Sequence, residues 1–297
     1  MRFCGTYTAI VTPFSSGVLD IQAYQWLIEQ QIAARVDGIV PVGTTGESPT
    51  LTTEEHKQVI QLAIEKVRNS SVRVIAGTGS NSTAEAIYLT QEAEKLGAHA
   101  ALLVAPYYNK PSQEGLYRHY QTIAIATKLP LILYNIPGRC GVEISATTIA
   151  RLAKDCPNIV AIKEAGGSAE RVSQLRIALP ETFSILSGDD ALTLAFLAVG
   201  ADGVISVASN VIPKQVHQMV DSWKAGRTRL AMQLHNRYYS LFRSLFVETN
   251  PVPVKYALSL LYAKRISEEV RLPLCELTES SKRCIRDTLQ SSGLLFK

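Results

Sequence analysis

Cysteine is sparse and unpaired: Cys4, Cys140, Cys156, Cys275 and Cys284 lie scattered, with no Cys-x-x-Cys spacing. An odd set of this kind suggests a reducing compartment, and the cytoplasm is the expected location. The five histidines (His56, His99, His119, His217 and His235) show no metal-ligand spacing, and no Cys/His cluster exists. Charge is balanced, with a net +4 over 297 residues and no run of five like charges, so there is no footprint for nucleic acid or an acidic membrane. No apolar run approaches membrane-spanning length. The N-terminus lacks a basic region followed by a long apolar stretch and a small-residue cleavage site, and Pro13 interrupts its only apolar run, so no signal peptide is expected. There is no Walker A sequence and no Gly-x-Ser-x-Gly elbow. The run Gly77-Thr78-Gly79-Ser80-Asn81-Ser82 starts like a dinucleotide fingerprint but lacks the third glycine, and it reads as a tight strand-to-helix turn.

What the chain does contain is a series. Short apolar runs recur at Gly5 to Val11, Asp37 to Gly43, Val72 to Gly77, His99 to Ala105, Pro130 to Asn135, Asn158 to Glu164, Thr182 to Gly188 and Asp202 to Val207. Between them lie stretches with helical spacing of apolar residues, such as Ile21 to Ala34, Thr53 to Val67, Thr83 to Leu96 and Glu114 to Thr127. Near-continuous apolar strands suit a parallel sheet covered on its outer face, and the intervening helices supply the crossovers. Eight such units, the last helix at about Pro213 to Ala225, predict an α/β fold of the (β/α)₈ barrel type. A doubly wound sheet is the competing reading. It would favour a glycine-rich turn after the first strand, where Thr12-Pro13-Phe14 stands instead.

Helix starts agree with this parsing. Thr52-Thr53-Glu54-Glu55 and Ser82-Thr83-Ala84-Glu85 both fit a capping box, and prolines stand at Pro111-Ser112 and Val211-Ile212-Pro213. After about Ala225 the character changes. Helices are expected at Thr228 to Phe246, Val254 to Lys264 and Glu276 to Leu289, with Thr249-Asn250-Pro251-Val252-Pro253 as a break. The expected organisation is a barrel over residues 1–225 and a helical appendage over 226–297, since about 70 residues of helix would be marginal alone.

In a barrel, chemistry belongs at the C-terminal ends of the strands. The sixth run, Asn158-Ile159-Val160-Ala161-Ile162-Lys163-Glu164, ends in a lysine. Burying its ammonium without a partner is costly, so Lys163 either pairs with a carboxylate such as Glu164 or gives up its proton and becomes a nucleophile. The other ends are Gly43-Thr44-Thr45-Gly46-Glu47-Ser48, Pro106-Tyr107-Tyr108-Asn109, Tyr134-Asn135-Ile136-Pro137-Gly138-Arg139, Ser187-Gly188-Asp189-Asp190 and Ile205-Ser206. Singly these have ordinary explanations: threonines that turn the chain, tyrosines at a rim, a solvated arginine, aspartates capping a helix. Together they offer a nucleophile, phenols, hydroxyls and one guanidinium at one mouth.

Gly43-Thr44-Thr45-Gly46-Glu47, Tyr134-Asn135-Ile136-Pro137-Gly138-Arg139 and Ile162-Lys163-Glu164 together resemble the Schiff-base lyase superfamily of pyruvate-dependent aldolases, to which N-acetylneuraminate lyases belong. The likeness runs from Gly5-Thr6 to Gly293-Leu294-Leu295 and takes in Pro106-Tyr107-Tyr108-Asn109-Lys110-Pro111 and Asn250-Pro251-Val252-Pro253-Val254-Lys255. Within the superfamily the chain resembles the branch that condenses pyruvate with aspartate semialdehyde in lysine biosynthesis. That resemblance implies an imine between Lys163 and pyruvate, with no metal or organic cofactor. It implies a proton relay of Tyr134, Thr44 and Tyr108, the last donated by a neighbouring subunit. Thr45 would hold the pyruvate carboxylate, Gly188 and the Ile205 carbonyl would line the other side, and Arg139 would hold the carboxylate of aspartate semialdehyde. A borrowed Tyr108 requires at least a dimer, and the family usually forms a dimer of dimers.

The same resemblance implies a site for inhibitory lysine, matched here by Ser48, Pro49, His56, Gly79, Asn81, Glu85 and Tyr107. Thr53 and Pro49 depart from the usual residues, so weaker feedback is expected. Glu85 already fits a capping box, and His56 falls in the first turn of a helix that reads as exposed. N-acetylneuraminate lyases and 2-keto-3-deoxy sugar acid aldolases share several of these elements but usually lack an arginine at position 139. A non-catalytic barrel that binds a 2-oxo acid would most naturally have lost Lys163 or Tyr134, and both are present.

Overall fold

The computed structural model describes residues 2–263 and 265–295. Eight parallel strands close into a barrel: β1 (Gly5–Thr8), β2 (Gly38–Ile39), β3 (Arg73–Gly77), β4 (Ala100–Val104), β5 (Leu131–Asn135), β6 (Ile159–Glu164), β7 (Ser184–Ser187) and β8 (Gly203–Ser206). Each pairs with the next in sequence, and β8 returns to β1 through the register Gly5 with Gly203 to Thr8 with Ser206. This is the (β/α)₈ barrel that the apolar runs predict. The crossovers are α1 (Ile21–Ala33), α2 (Thr53–Val67), α3 (Thr83–Leu96), α4 (Gln113–Ile125), α5 (Ala146–Asp155), α6 (Ala169–Ala178), α7 (Thr193–Ala198) and α8 (Pro213–Lys224). Among the described residues no helix is long and apolar enough to cross a membrane.

Alternation along the strands builds two cores. Tyr7, Val40, Ile75, Leu102, Ile132, Tyr134, Ala161, Leu186 and Ile205 fill the barrel interior. Val74, Ala76, Ala101, Leu103, Leu131, Leu133, Ile162 and Ile185 face outward into the larger core between sheet and helices. Both faces are therefore dry, which is why the strands read as continuous apolar runs.

The strands are shorter than those runs because the mouth turns away early. β2 keeps only two residues of Asp37 to Gly43. Pro41 has no N–H for the ladder, and Val42 takes φ 48°, a left-handed conformation that a β-branched residue rarely adopts. Its carbonyl is packed against Gly77, where a Cβ would come within 2.4 Å of it. The loop that carries Thr44 and Thr45 thus leaves the barrel from a strained residue held by a glycine.

Helix starts follow the sequence in part. Thr52 forms the full capping box, its Oγ1 accepting from Glu55 N (3.2 Å) and its N donating to Glu55 Oε2 (2.9 Å). Ser82 makes only half of one. Its Oγ accepts from Glu85 N (3.4 Å), but the Glu85 carboxylate takes the Ser80 hydroxyl instead of the Ser82 N–H. The Ser82 N–H goes to Ser80 Oγ (3.0 Å). The expected box at Ser82 is therefore corrected: the nearby serine outcompetes the backbone for the carboxylate.

Beyond α8 come α9 (Thr228–Ser244), α10 (Val252–Leu261) and α11 (Glu279–Ser291). The middle helix starts two residues earlier than the sequence reading, because Pro253 falls in its first turn, where a missing N–H costs nothing. The expected end at Lys264 lies outside the described residues. The last helix starts later than Glu276 because Thr278 caps it, accepting from Ser281 N. A buried ion pair ties this region to the barrel. Lys255 Nζ on α10 donates to Glu47 Oε1 at 2.5 Å, and both side chains are fully buried. Glu47 also accepts from Arg271 N (3.1 Å), while the Arg271 guanidinium grips both Glu55 oxygens (2.7 and 2.6 Å) and the carbonyls of Thr50 and Gly17. Lys255→Met leaves Glu47 buried without its cation and should lower the unfolding free energy by about 3–5 kcal/mol in a urea titration. Adding Glu47→Leu should recover part of that loss, and a single-variant loss below about 1 kcal/mol would show the pair to be energetically idle.

Candidate active site

Register places the central pair. Tyr134 on β5 is the ladder partner of Lys163 on β6, and Asn135 is the partner of Glu164. Paired residues of adjacent strands share a face and successive residues alternate, so Tyr134 and Lys163 point into the barrel while Asn135 and Glu164 point out. The outward pair satisfies itself: Asn135 Nδ2 donates to both Glu164 oxygens (3.1 and 3.0 Å), and Gly166 N adds a third bond at 2.6 Å. Arg171 lies 3.5 Å from Glu164. Glu164 is therefore spent on the far side of the sheet, and the reading in which it neutralises Lys163 fails on geometry.

Lys163 is left with an aromatic face. Its Nζ sits 4.2 Å from the centroid of the Tyr134 ring. No carboxylate lies within 4 Å of it among the described residues. Burial pulls the ammonium down from its ordinary 10.5 to about 7; the Asp190 charge opposes this and the Arg139 charge assists it. Gly188 keeps the space beside the amine stem open, since a Cβ there would stand 2.7 Å from Ala165 Cβ and 3.1 Å from Lys163 Cε. A lowered value of this kind makes the neutral amine accessible near neutral pH, the condition for attack on a carbonyl carbon.

The phenol beside it is held protonated. Burial pushes Tyr134 up to about 12, while the Arg139 charge and the nearby Thr44 side chain draw it back. Such a phenol donates and shuttles protons and does not sit as a phenolate. Thr44, Tyr134 and Arg139 line a cavity of about 430 Å³. Arg139 reaches it from a short helix, Pro137–Cys140, directly after β5. Thr45 is buried, and its Oγ1 accepts from Asn250 Nδ2 at 3.0 Å. Ile205 lies in the barrel interior on β8, in register with Tyr7.

Tyr108 is the exception. It is 90% exposed, at φ 72°, and does not join the mouth of its own barrel. Tyr108 belongs to the Tyr107–Lys110 turn, which projects outward, with Tyr107 and Asn81 tied by Asn81 Nδ2 donating to the Tyr107 carbonyl (3.1 Å).

Of the residues matched to an inhibitor site, Ser48, Pro49, His56, Gly79, Glu85 and Tyr107 line the same cavity. Asn81 does not line it, being spent on Tyr107. His56, expected on an exposed face, is buried, bonds to the Gly77 carbonyl through Nε2 (2.9 Å) and leaves Nδ1 without a partner. Burial pulls it below its ordinary value, so its ring is neutral at pH 7.

Two contributors escaped the sequence reading. Asp190 is not a helix cap. Its carboxylate accepts from the Ser206 hydroxyl (2.5 Å) and from the backbone N–H of Val207 and Ala208 (3.0 and 2.9 Å), while Asp189 Oδ1 closes the turn before α7 by accepting from Ala191 N (2.8 Å) and Leu192 N (3.3 Å). It brackets the end of β8, and its charge raises the Lys163 value. Asn250, from the connection before α10, bonds Thr45 and also accepts from Arg139 Nη2 on its carbonyl (3.2 Å). Neither role has a local signature, because both partners lie far away in sequence.

The rate at which pyruvate is captured should rise with pH through about 7 and level off above it, since only the neutral amine attacks. Asp190→Asn removes the charge that raises the Lys163 value, so the midpoint should move to lower pH. A midpoint that stays put or moves up would show that Asp190 does not act on the amine.

A family model described as the dihydrodipicolinate synthetase family matches residues 2–292. A 4-hydroxy-tetrahydrodipicolinate synthase of Thermodesulfovibrio yellowstonii is 51% identical over 293 residues, covering 99% of each chain. The solved structure of the 4-hydroxy-tetrahydrodipicolinate synthase of Methylacidiphilum fumariolicum SolV superposes with a TM-score of 0.96 at 55% identity, over 98% of this chain and 96% of that one. A dihydrodipicolinate synthase from Cyanidioschyzon merolae, solved with lysine bound, is 43% identical with a TM-score of 0.95, over 99% of each chain.

Proposed function

The chain belongs to the dihydrodipicolinate synthetase family, and on that premise we propose that it acts as a 4-hydroxy-tetrahydrodipicolinate synthase, a lyase of lysine biosynthesis. The observation that carries the chemistry is the buried Lys163 amine, without a carboxylate partner among the described residues, in register with Tyr134 and over its ring inside the barrel. Lys163 Nζ attacks the ketone carbon of pyruvate, and loss of water gives an imine. The protonated imine withdraws electrons, so a methyl proton leaves and an enamine forms. Its carbon attacks the aldehyde carbon of aspartate semialdehyde, whose oxygen takes a proton. The amine of the new chain then adds to the imine carbon and expels Lys163, which restores the free enzyme and closes the ring. One water is lost overall, and every electron pair comes from the substrates and the lysine.

Residue roles follow from charge and place. Thr45 donates to the pyruvate carboxylate, and Gly188 with the Ile205 carbonyl lines the opposite side. Arg139 offers a planar fork to the carboxylate of aspartate semialdehyde. That guanidinium disfavours the sugar-aldehyde alternatives, N-acetylneuraminate lyase and 2-keto-3-deoxy sugar acid aldolase. Tyr134, Thr44 and the Tyr108 of a second subunit carry protons. The exposure of Tyr108 supports a relay completed across an interface, in a homo-oligomer of at least two chains built as a dimer of dimers. Free lysine is the inhibitor assigned to the part of the cavity lined by Ser48, Pro49, His56, Gly79, Glu85 and Tyr107, with weaker feedback expected from Pro49 and Thr53. The five free cysteines fit a cytoplasmic setting.

Pyruvate with borohydride should leave one reduced adduct, mapped by peptide mass to Lys163. An adduct on another lysine, or none in active enzyme, would overturn the imine assignment. Tyr108→Phe and Tyr134→Phe should each lower the rate on the order of 10²-fold while staying folded. Mixed under subunit exchange, the two variants should regain about a quarter of wild-type activity, since half the dimers are mixed and half their sites intact. No recovery despite exchange would place Tyr108 outside the relay.

A further inference from the structure

We propose that Asn250, in the C-terminal region, is a positioning residue that aims the Thr45 hydroxyl at the carboxylate of the 2-oxo acid; this rests on the reading of Thr45 given above. Asn250 lies 205 residues beyond Thr45 and is buried at the entry to α10. Its Nδ2 donates to Thr45 Oγ1 at 3.0 Å. A hydroxyl has one proton and two lone pairs. With a lone pair occupied by the amide, the Thr45 proton is directed elsewhere, and it has no acceptor among the hydrogen bonds of the described residues. The pair therefore presents a buried, unspent donor, which is what a carboxylate needs.

The other pole of the amide sharpens this. Asn250 Oδ1 is buried and makes no hydrogen bond. An apolar side chain would avoid that cost. The side chain that is present keeps a donor at Thr45 and leaves its acceptor unused, so the donor is what the position retains. Nor can the segment drift: Lys255 N donates to the Pro251 carbonyl (3.0 Å), and the buried pair with Glu47 pins α10 two residues beyond Thr45.

Asn250 meets the two carboxylate-binding donors by different means. Its side chain holds Thr45, and its backbone carbonyl holds Arg139 Nη2 at 3.2 Å. Side-chain substitutions cut only the first contact. They should weaken pyruvate and spare aspartate semialdehyde, whereas a collapse of the segment would harm both.

The test uses the full chain and reads the half-saturating pyruvate concentration for borohydride trapping, together with the KM of each substrate. Asn250→Ala should raise the pyruvate value by roughly tenfold and move the aspartate semialdehyde KM by less than about twofold. Asn250→Asp, of the same shape, should be worse for pyruvate, because its carboxylate takes the Thr45 proton and repels the substrate; it also serves if the alanine variant does not fold. In a Thr45→Val background Asn250→Ala should add nothing to the pyruvate penalty. Unchanged trapping, both KM values rising together, or additive penalties in the double variant would each overturn the inference. Failure of the wild type to trap pyruvate at all would instead overturn the proposed function.

Discussion

A lysine ammonium enclosed in a dry barrel must find an anion or lose its proton, and the rest of this molecule is arranged so that Lys163 does the second. Strand alternation is the device. The only carboxylate next to it in sequence, Glu164, is turned to the opposite face by the same backbone geometry that turns Lys163 inward. There Asn135, Gly166 and Arg171 consume it. Inside, the amine meets the ring of Tyr134 and the open space that Gly188 preserves. Asp190 tempers the effect from a distance while its oxygens stay committed to Ser206, Val207 and Ala208. The balance leaves an amine that is both populated as a nucleophile and able to be reprotonated at neutral pH.

Around that centre, polar groups are held by partners remote in the chain. The Thr44–Thr45 loop departs from the strained Val42, which Gly77 allows to approach β3 closely. Glu47, two residues further on, is locked to Lys255, and Thr45 is bonded to Asn250. The C-terminal helices therefore act on the mouth itself. The same loop runs on into Ser48 and Pro49, and the cavity that opens at Tyr134 and Arg139 continues to His56 and Glu85.

Legibility tracked the range of the interaction. Continuous apolar runs and helical spacing between them gave the barrel, its crossovers and α2 and α3 to the residue, because burial on both faces of a parallel sheet is written locally. Lys163, Tyr134, Thr44 and Arg139 were legible as polar residues at strand ends. What failed was competition between near neighbours and pairing between distant ones. Ser80 took the carboxylate that Ser82 was expected to share, Pro253 entered a helix it was expected to precede, and His56 was buried by its bond to Gly77. Asp190, Asn250 and the Glu47–Lys255 pair depend on contacts 16 to 208 residues apart, which no window of sequence contains.

The central claim is the state of one amine, and it can be observed without any substrate. With lysine labelled at its side-chain nitrogen and the Lys163 signal assigned through Lys163→Arg, an NMR titration follows that proton directly. The account predicts a midpoint near pH 7. A midpoint near the ordinary 10.5 would mean that Lys163 is solvated or paired, and would contradict it.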